Sequence, residues 1–302
     1  MYHRILVGYD GTAGGRDALA LAGTLRAHDG AVIAACVHPG RPHSKAVETL
    51  FADAAAQTVA AARSQVHDDW LEFRTAPGQS PAHGLHVLSE EVGADLVVVG
   101  SSNRGEAGHV HAGSTGERLL NGSPCPVAVA PLGFADGADT PRVIGVAYDD
   151  SDESRAALRD ATELAAELDA TIRLITVVPP LELYWSAEAF AGAISSGEEI
   201  RAQRHEGYRK MQAEAAESLP AEARAATTLL AGRPATLIAE EAEKGIHLLI
   251  MGSRSYGPIR RVMVGSTAIE IMRLAPCPVM VIPRGAVSSR AEAPAAGAAS
   301  AA

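Results

Sequence analysis

The chain of 302 residues is 47% apolar and carries 26 basic against 36 acidic side chains, a formal charge of −10. That length suits two domains of ordinary size, or a single α/β barrel. The acidic balance argues against DNA or RNA as a main partner, because phosphate backbones demand a basic footprint, and no run of about 18 apolar residues is available to span a membrane.

In chain order, Met1-Tyr2-His3-Arg4 passes at once into Ile5-Leu6-Val7, which reads as a first strand. A signal peptide would need a longer apolar core and a small-residue cleavage site. The apolar runs of the first half lie at 4–9, 31–37, 70–75, 95–100 and 126–130. Alanine-rich stretches at 14–28 and 45–67 fall between them and read as helices. A linker rich in Gly, Asp and Ala runs from Pro131 to Pro141. The pattern then returns, with apolar runs at 142–148, 171–178, 225–231, 247–252 and 278–282 and a helix over 153–168. Ser151 or Asp152 caps that helix, and Glu153 supports its positive end. Val97-Val98-Val99 and Leu248-Leu249-Ile250 are apolar on consecutive positions, as in strands buried on both faces of a parallel sheet. Strand alternating with helix makes each half a doubly wound α/β sheet. From Gly285 the chain is Ala, Ser and Pro with few large apolar residues, the composition of a disordered tail over 285–302.

The halves are copies of one another. Arg4-Ile-Leu-Val-Gly-Tyr-Asp10 returns as Arg142-Val-Ile-Gly-Val-Ala-Tyr-Asp149, an offset of 139 residues between the two aspartates. Gly100-Ser101, Gly113-Ser114-Thr115 and Pro124-Cys-Pro126 return as Gly252-Ser253, Gly265-Ser266-Thr267 and Pro276-Cys-Pro278 at an offset of 152. The difference of 13 residues places a net insertion between these landmarks, in the stretch from Pro179 to about Ile200 that holds Tyr184, Trp185 and Phe190.

Ligands of an open parallel sheet bind beyond the carboxyl ends of its strands, where the strand order reverses. At that edge the first half reads Gly100-Ser-Ser-Asn103-Arg-Gly105, then Gly113-Ser114-Thr115. The second reads Gly252-Ser253-Arg254-Ser255-Tyr-Gly257, with Arg260 and Arg261 before Gly265-Ser266-Thr267. A glycine at a strand end lets a phosphate approach closely. Gly-Ser-Thr at a helix start offers unpaired N–H groups, a favourable dipole and two hydroxyls to an anion. Neither a Walker A loop nor the Rossmann fingerprint is present.

An Asp after the first strand, a Gly-2x-Gly-9x-Gly-Ser/Thr loop after the fourth, and Pro-Cys-Pro-Val before the fifth together resemble the universal stress protein family. The resemblance covers 1–131 and 141–284. It implies two tandem doubly wound parallel five-stranded sheets of strand order 3-2-1-4-5, each with an ATP site at its carboxyl edge, with or without magnesium. By position, Asp10 and Asp149 would meet the adenosine end of the nucleotide, and Val37 and Val177, ending the second strands, the adenine. Gly100, Ser101, Gly113, Ser114 and Thr115 would hold ribose and phosphates in one half; Gly252, Ser253, Arg254, Gly265, Ser266 and Thr267 would do so in the other. The family's second loop glycine is replaced by Asn103 and Ser255. Asn tolerates a left-handed backbone better than Ser, while the second loop carries more positive charge. Both sites are read as competent.

The remaining features have plainer readings. Cys36, Cys125 and Cys277 show no zinc or CxxC spacing and are expected as buried small hydrophobes in a reducing cytoplasm. The histidines, His83, His86, His109 and His111 among them, read as scattered surface groups rather than zinc ligands. Glu90-Glu91 and Glu240-Glu241 read as solvated helix faces, and the Tyr184–Phe190 cluster as a helix packing on the other half rather than a lid. Asp10 and Asp149 have an alternative role as caps of the next helix. A regulatory ATP-binding protein is favoured over a slow ATP hydrolase, because no acid stands where phosphoryl transfer would want one. A scaffold with empty sites is the third reading. Val127–Ala130 and Val279–Ile282 would be apolar edge strands, so the halves are expected to pair there as an internal pseudo-dimer. A further homodimer is the looser expectation.

Overall fold

The computed structural model describes residues 1–40, 44–66, 68–102, 109–110, 112–180, 197–253 and 265–283. Its first half runs β1 (Tyr2–Gly8), α1 (Ala13–Leu25), β2 (Arg26–Pro39), α2 (Lys45–Gln65), β3 (Leu71–Gly78), α3 (Pro81–Val92), β4 (Leu96–Gly100), α4 (Gly113–Leu120) and β5 (Val127–Ala130). The second repeats the order as β6 (Val143–Ala147), α5 (Asp152–Leu168), β7 (Thr171–Val178), α6 (Gly197–Glu217), β8 (Arg224–Ala231), α7 (Pro234–Ala242), β9 (Leu248–Gly252), α8 (Ser266–Leu274) and β10 (Val279–Ile282).

The central strands are buried because helices cover both faces of the sheet. Ile5 and Val7 face the layer of Leu21, Leu25 and Val59 from α1 and α2. Leu6 and Val97 face Leu85, Leu88 and Leu119 from α3 and α4. A strand read as continuous apolar sequence is what two covered faces require. Hydroxyl caps start three of the helices: Thr12 accepts from Gly15 N, Ser80 from His83 N and Ser151 from Ser154 N.

Two expected boundaries move. The helix expected over 14–28 ends at Leu25, because the Arg26 guanidinium gathers the next carbonyls, donating to Ala27, His28 and Gly30 at 2.8, 2.9 and 3.0 Å. The same group lies 4.8 Å over the Trp70 ring, so 26–30 becomes the extended start of β2. The second strands also run past Val37 and Val177, to Pro39 and Val178. The insertion falls between β7 and α6: residues 179–196 replace the five residues 40–44, which accounts for the whole offset of 13. The Tyr184–Phe190 cluster within it, and the tail from Arg284 onward, lie outside the described residues.

One expectation fails. Glu240 is solvated, but Glu241 is buried at 5% exposure. Its carboxylate sits among Lys244 Nζ at 2.7 Å, Thr228 Oγ1 at 3.4 Å and the Arg173 guanidinium at 3.7 Å. A buried carboxylate persists when such partners surround it.

The ten strands form one sheet of order β3-β2-β1-β4-β5-β10-β9-β6-β7-β8. Each half keeps the order 3-2-1-4-5, all parallel, and the one antiparallel step among the described strands joins β5 to β10. Val129 pairs with Val279, Ala128 with Met280 and Val127 with Val281. The carbonyls of Pro126 and Ala130 accept bonds from β4 and its exit, so the alternate residues Val127 and Val129 turn their N–H groups to β10. Further ties cross the junction. Arg273 on α8 meets Glu117 on α4 at 2.8 Å, Val110 N donates to Ala275 O at 2.9 Å, and the amino terminus of Met1 pairs with Glu167. The linker is also fastened: the buried Asp17 carboxylate on α1 accepts from Gly133 N and Ala135 N, both at 2.9 Å.

Replacing Val129 by proline removes a donor aimed at β10 and leaves its acceptor buried. The expected loss is on the order of 1–3 kcal/mol in urea unfolding, with faster amide exchange at Val279 and Val281. An unchanged midpoint and unchanged exchange at β10 would show that this ladder does not hold the halves together.

Candidate functional site

In this topology the chain leaves β1 towards β2 on one side, and β4 lies on the other. The carboxyl ends of β1 and β4 therefore bound a crevice, repeated between β6 and β9. The nucleotide-site residues expected from the sequence and described in the structure lie on the strand ends, turns and helix starts around these two crevices.

On the β1 side, Asp10 accepts through Oδ1 from Thr12 N at 3.0 Å and Thr12 Oγ1 at 2.6 Å. Thr12 in turn accepts from Gly15 N at 3.4 Å as the cap of α1. Gly11 between them has φ +78°, a left-handed turn. The second copy is built the same way. Asp149 Oδ1 accepts from Ser151 N at 3.2 Å and Ser151 Oγ at 2.6 Å, and Ser151 accepts from Ser154 N at 3.2 Å. The aspartates thus hold the cap residues rather than capping directly. The turn differs in one respect: Asp150, not glycine, takes the left-handed position at φ +66°. Its carboxylate is held by Tyr148 Oη at 2.8 Å and by Arg155 through Nε and Nη2 at 3.0 and 2.9 Å. Burial, reinforced by the Asp150 carboxylate, pushes the Tyr148 phenol up to about 12, so it stays a donor.

On the β4 side the structure gives Gly100 a packing role. A Cβ there would fall onto the Gly14 carbonyl, and one on Gly14 would come within 2.5 Å of Ser101 O. The missing Cβ atoms make room for α1 to cross the end of β4. At Gly252 the same space is filled by Glu153, whose Cβ would lie 2.6 Å from an added methyl. Ser101 is likewise turned inward. It is 4% exposed, and its hydroxyl donates to Ala130 O at 2.7 Å. Ser253 is 3% exposed; its N donates to Ile282 O and its carbonyl accepts from Gly265 N, both at 2.9 Å.

The helix starts face outward. Ser114 and Ser266 are exposed, and Thr115 and Thr267 half-buried, in the first turns of α4 and α8. Gly113 has φ +58° and packs against Ser102, whereas Gly265 has an ordinary φ of −62°. Val37 and Val177 lie on the α3 and α7 side of their strands. Val37 fits under Gly84, where an added methyl would meet its Cγ1 at 2.5 Å. Arg254, Asn103, Ser255, Arg260, Arg261 and His111 lie outside the described residues.

The three thiols are buried and unpaired with one another. Desolvation raises all three pKa values, to about 11 at Cys125 and about 12 at Cys277, against the reactive thiolate form. Sequence reasoning passed over Gly14, whose doublet with Gly15 in a helix start was the available signal, and the pair Tyr148 and Arg155, which had none.

A sequence profile of the universal stress protein family matches residues 1–131 and again 141–283. Universal stress protein Rv2319c of Mycobacterium tuberculosis is 30% identical over 211 residues, covering 68% of this chain and 70% of that one. Universal stress protein YxiE of Bacillus subtilis is 30% identical over 143 residues, 45% of this chain and 95% of its own. Among solved structures, a universal stress protein from Archaeoglobus fulgidus superposes over 94% of this chain and 99% of that one, with a TM-score of 0.65 at 18% identity, a likeness of fold.

The two glycine types separate in a stability measurement. Gly100→Ala is expected to lose about 1–3 kcal/mol through overpacking against α1. Gly265→Ala, with ordinary backbone angles, should change unfolding by less than about 0.5 kcal/mol. Equal effects in chemical denaturation would remove the packing role assigned to Gly100.

Proposed function

The chain belongs to the universal stress protein family, and from that premise we propose that it binds an adenine nucleotide, ATP foremost, as a regulatory protein of a cytoplasmic stress response and not as an enzyme. One observation carries this reading. At the switch point between β1 and β4, the first turns of α1 and α4 open on the same crevice, α1 against Gly100 and Ser101 and α4 against Ser102. Two helix starts at one crevice offer unpaired backbone donors and two positive dipole ends to an anionic ligand.

The residues fit the ligand in distinct ways. Gly113, Ser114 and Thr115, and the counterparts Ser266 and Thr267 after Gly265, present N–H groups and hydroxyls suited to phosphate oxygens. Asp10 and Asp149 keep a second carboxylate oxygen for the hydroxyl or amino groups of an adenosine, since Oδ1 serves the turn. Val37 and Val177 line the strand ends where a base would lie. Gly100, Ser101, Gly252 and Ser253 shape the crevice floor and give it rigidity, as their packing and inward bonds suggest. Arg254 is assigned to the phosphates by its sequence position alone, and magnesium would accompany the nucleotide as its counter-ion. Three buried thiols suit a reducing compartment. No helix among the described residues is long and apolar enough to cross a membrane.

Mass spectrometry of ligand released from gently purified protein should find an adenine nucleotide. Calorimetry should then show ATP affinity falling about tenfold or more in Ser114→Ala/Thr115→Val, with no loss of fold by circular dichroism. Undiminished affinity would take the α4 start out of the site. Turnover above about one ATP per minute would move the protein to the enzymes.

A further inference from the structure

We infer that the two crevices are not equivalent, and that each chain holds one ATP, in the first half, while acids on α5 keep the phosphate chain out of the second. The inference rests on the nucleotide reading above and specifies which copy of the site performs it.

The contrast begins with aligned turns. Residues 10–16 read Asp-Gly-Thr-Ala-Gly-Gly-Arg, one acid and one base; residues 149–155 read Asp-Asp-Ser-Asp-Glu-Ser-Arg, four acids and one base. The first turn of α1 holds no acid, so the positive end of its dipole is left for a ligand. The first turn of α5 holds Asp152 and Glu153, which already compensate that end.

The bases differ in their engagements too. Arg16 is exposed, and its guanidinium makes a long hydrogen bond of 3.5 Å to Gly11 O without a carboxylate ion pair among the described residues. Arg155 is committed, bidentate to Asp150 and 3.4 Å from Asp152. Where Gly14 leaves bare backbone beside Gly100, the second half sets Glu153 against Gly252, at the strand end that borders the crevice.

The helix start on the far side agrees. Gly265 N already donates to Ser253 O at 2.9 Å, whereas Gly113 N has no such partner among the described residues. Among the described residues, the second crevice thus offers an anion one backbone donor fewer at its helix start and more negative charge at its β6 turn. Charges of one sign gathered within a Debye length, about 8–10 Å near physiological salt, repel a triphosphate together. On the order of a tenfold or larger affinity difference between the halves follows.

The test is an ATP titration of the full chain by calorimetry, read as stoichiometry. Close to one ATP per chain is expected, its affinity lowered about tenfold or more by Ser114→Ala/Thr115→Val and untouched by Ser266→Ala/Thr267→Val. Asp152→Ala/Glu153→Ala should bring a second ATP per chain, with its fold checked by circular dichroism. Conversely, Ala13→Asp should weaken the first site about threefold by placing an acid in the first turn of α1. Two equal sites in the unmodified chain would overturn the inference, and would mean that Arg254, Arg260 and Arg261 offset the acids. One site that follows Ser266 and Thr267, or a count that stays at one in the double alanine variant, would overturn it as well. No binding at all would instead sink the nucleotide reading on which it stands.

Discussion

The antiparallel pairing of β5 with β10 is the contact on which the rest of the architecture depends. Each is a four-residue strand without a polar side chain, Val-Ala-Val-Ala and Val-Met-Val-Ile, and each would be an exposed edge in an isolated half. An apolar edge with unpaired N–H and C=O groups is an aggregation hazard. Joining the two removes both edges at once and leaves β3 and β8 as the outer strands. Of these, β3 carries the salt-bridged pair Glu72 and Arg74 and then Pro77, features that discourage further pairing. The duplication is thus an assembly within one chain: the second copy supplies the neighbour that the first needs.

The same economy of space shapes the crevices. Gly14 and Gly100 let α1 lie across the end of β4 at backbone distance, so the β1 turn and the β4 exit form one rigid rim. Inward bonds of Ser101 and Ser253 to the ends of β5 and β10 link that rim to the junction strands. Crevice and junction are therefore mechanically continuous.

Duplication preserved the turn chemistry while the charges diverged. Asp10 with Thr12, and Asp149 with Ser151, keep the same two hydrogen bonds to within 0.2 Å. Around that shared frame, Gly11 became Asp150 and Gly14 became Glu153, or the reverse. The left-handed turn survives without glycine because Tyr148 and Arg155 hold the Asp150 carboxylate. A conserved backbone with altered electrostatics is how one fold comes to offer two different surfaces.

The repeat, the ten strands and the helix starts at Gly113 and Gly265 were legible in the sequence, because apolar period and glycine placement are local properties of the chain. So was the pairing of the two edges, since an all-apolar terminal strand has to be covered by something. Other features depend on distant neighbours. The packing role of Gly100 shows only once α1 lies against it, and the inward bond of the Ser101 hydroxyl only once Ala130 O lies beside it. Glu241 looked solvated next to Glu240, and only the approach of Arg173 and Thr228 from neighbouring strands explains its burial. The sequence determined by itself which elements form and in what order, since these follow from patterns within a few residues. The tertiary structure alone decided which polar groups and glycines serve packing and which face the crevice, because that depends on atoms brought together from distant parts of the chain.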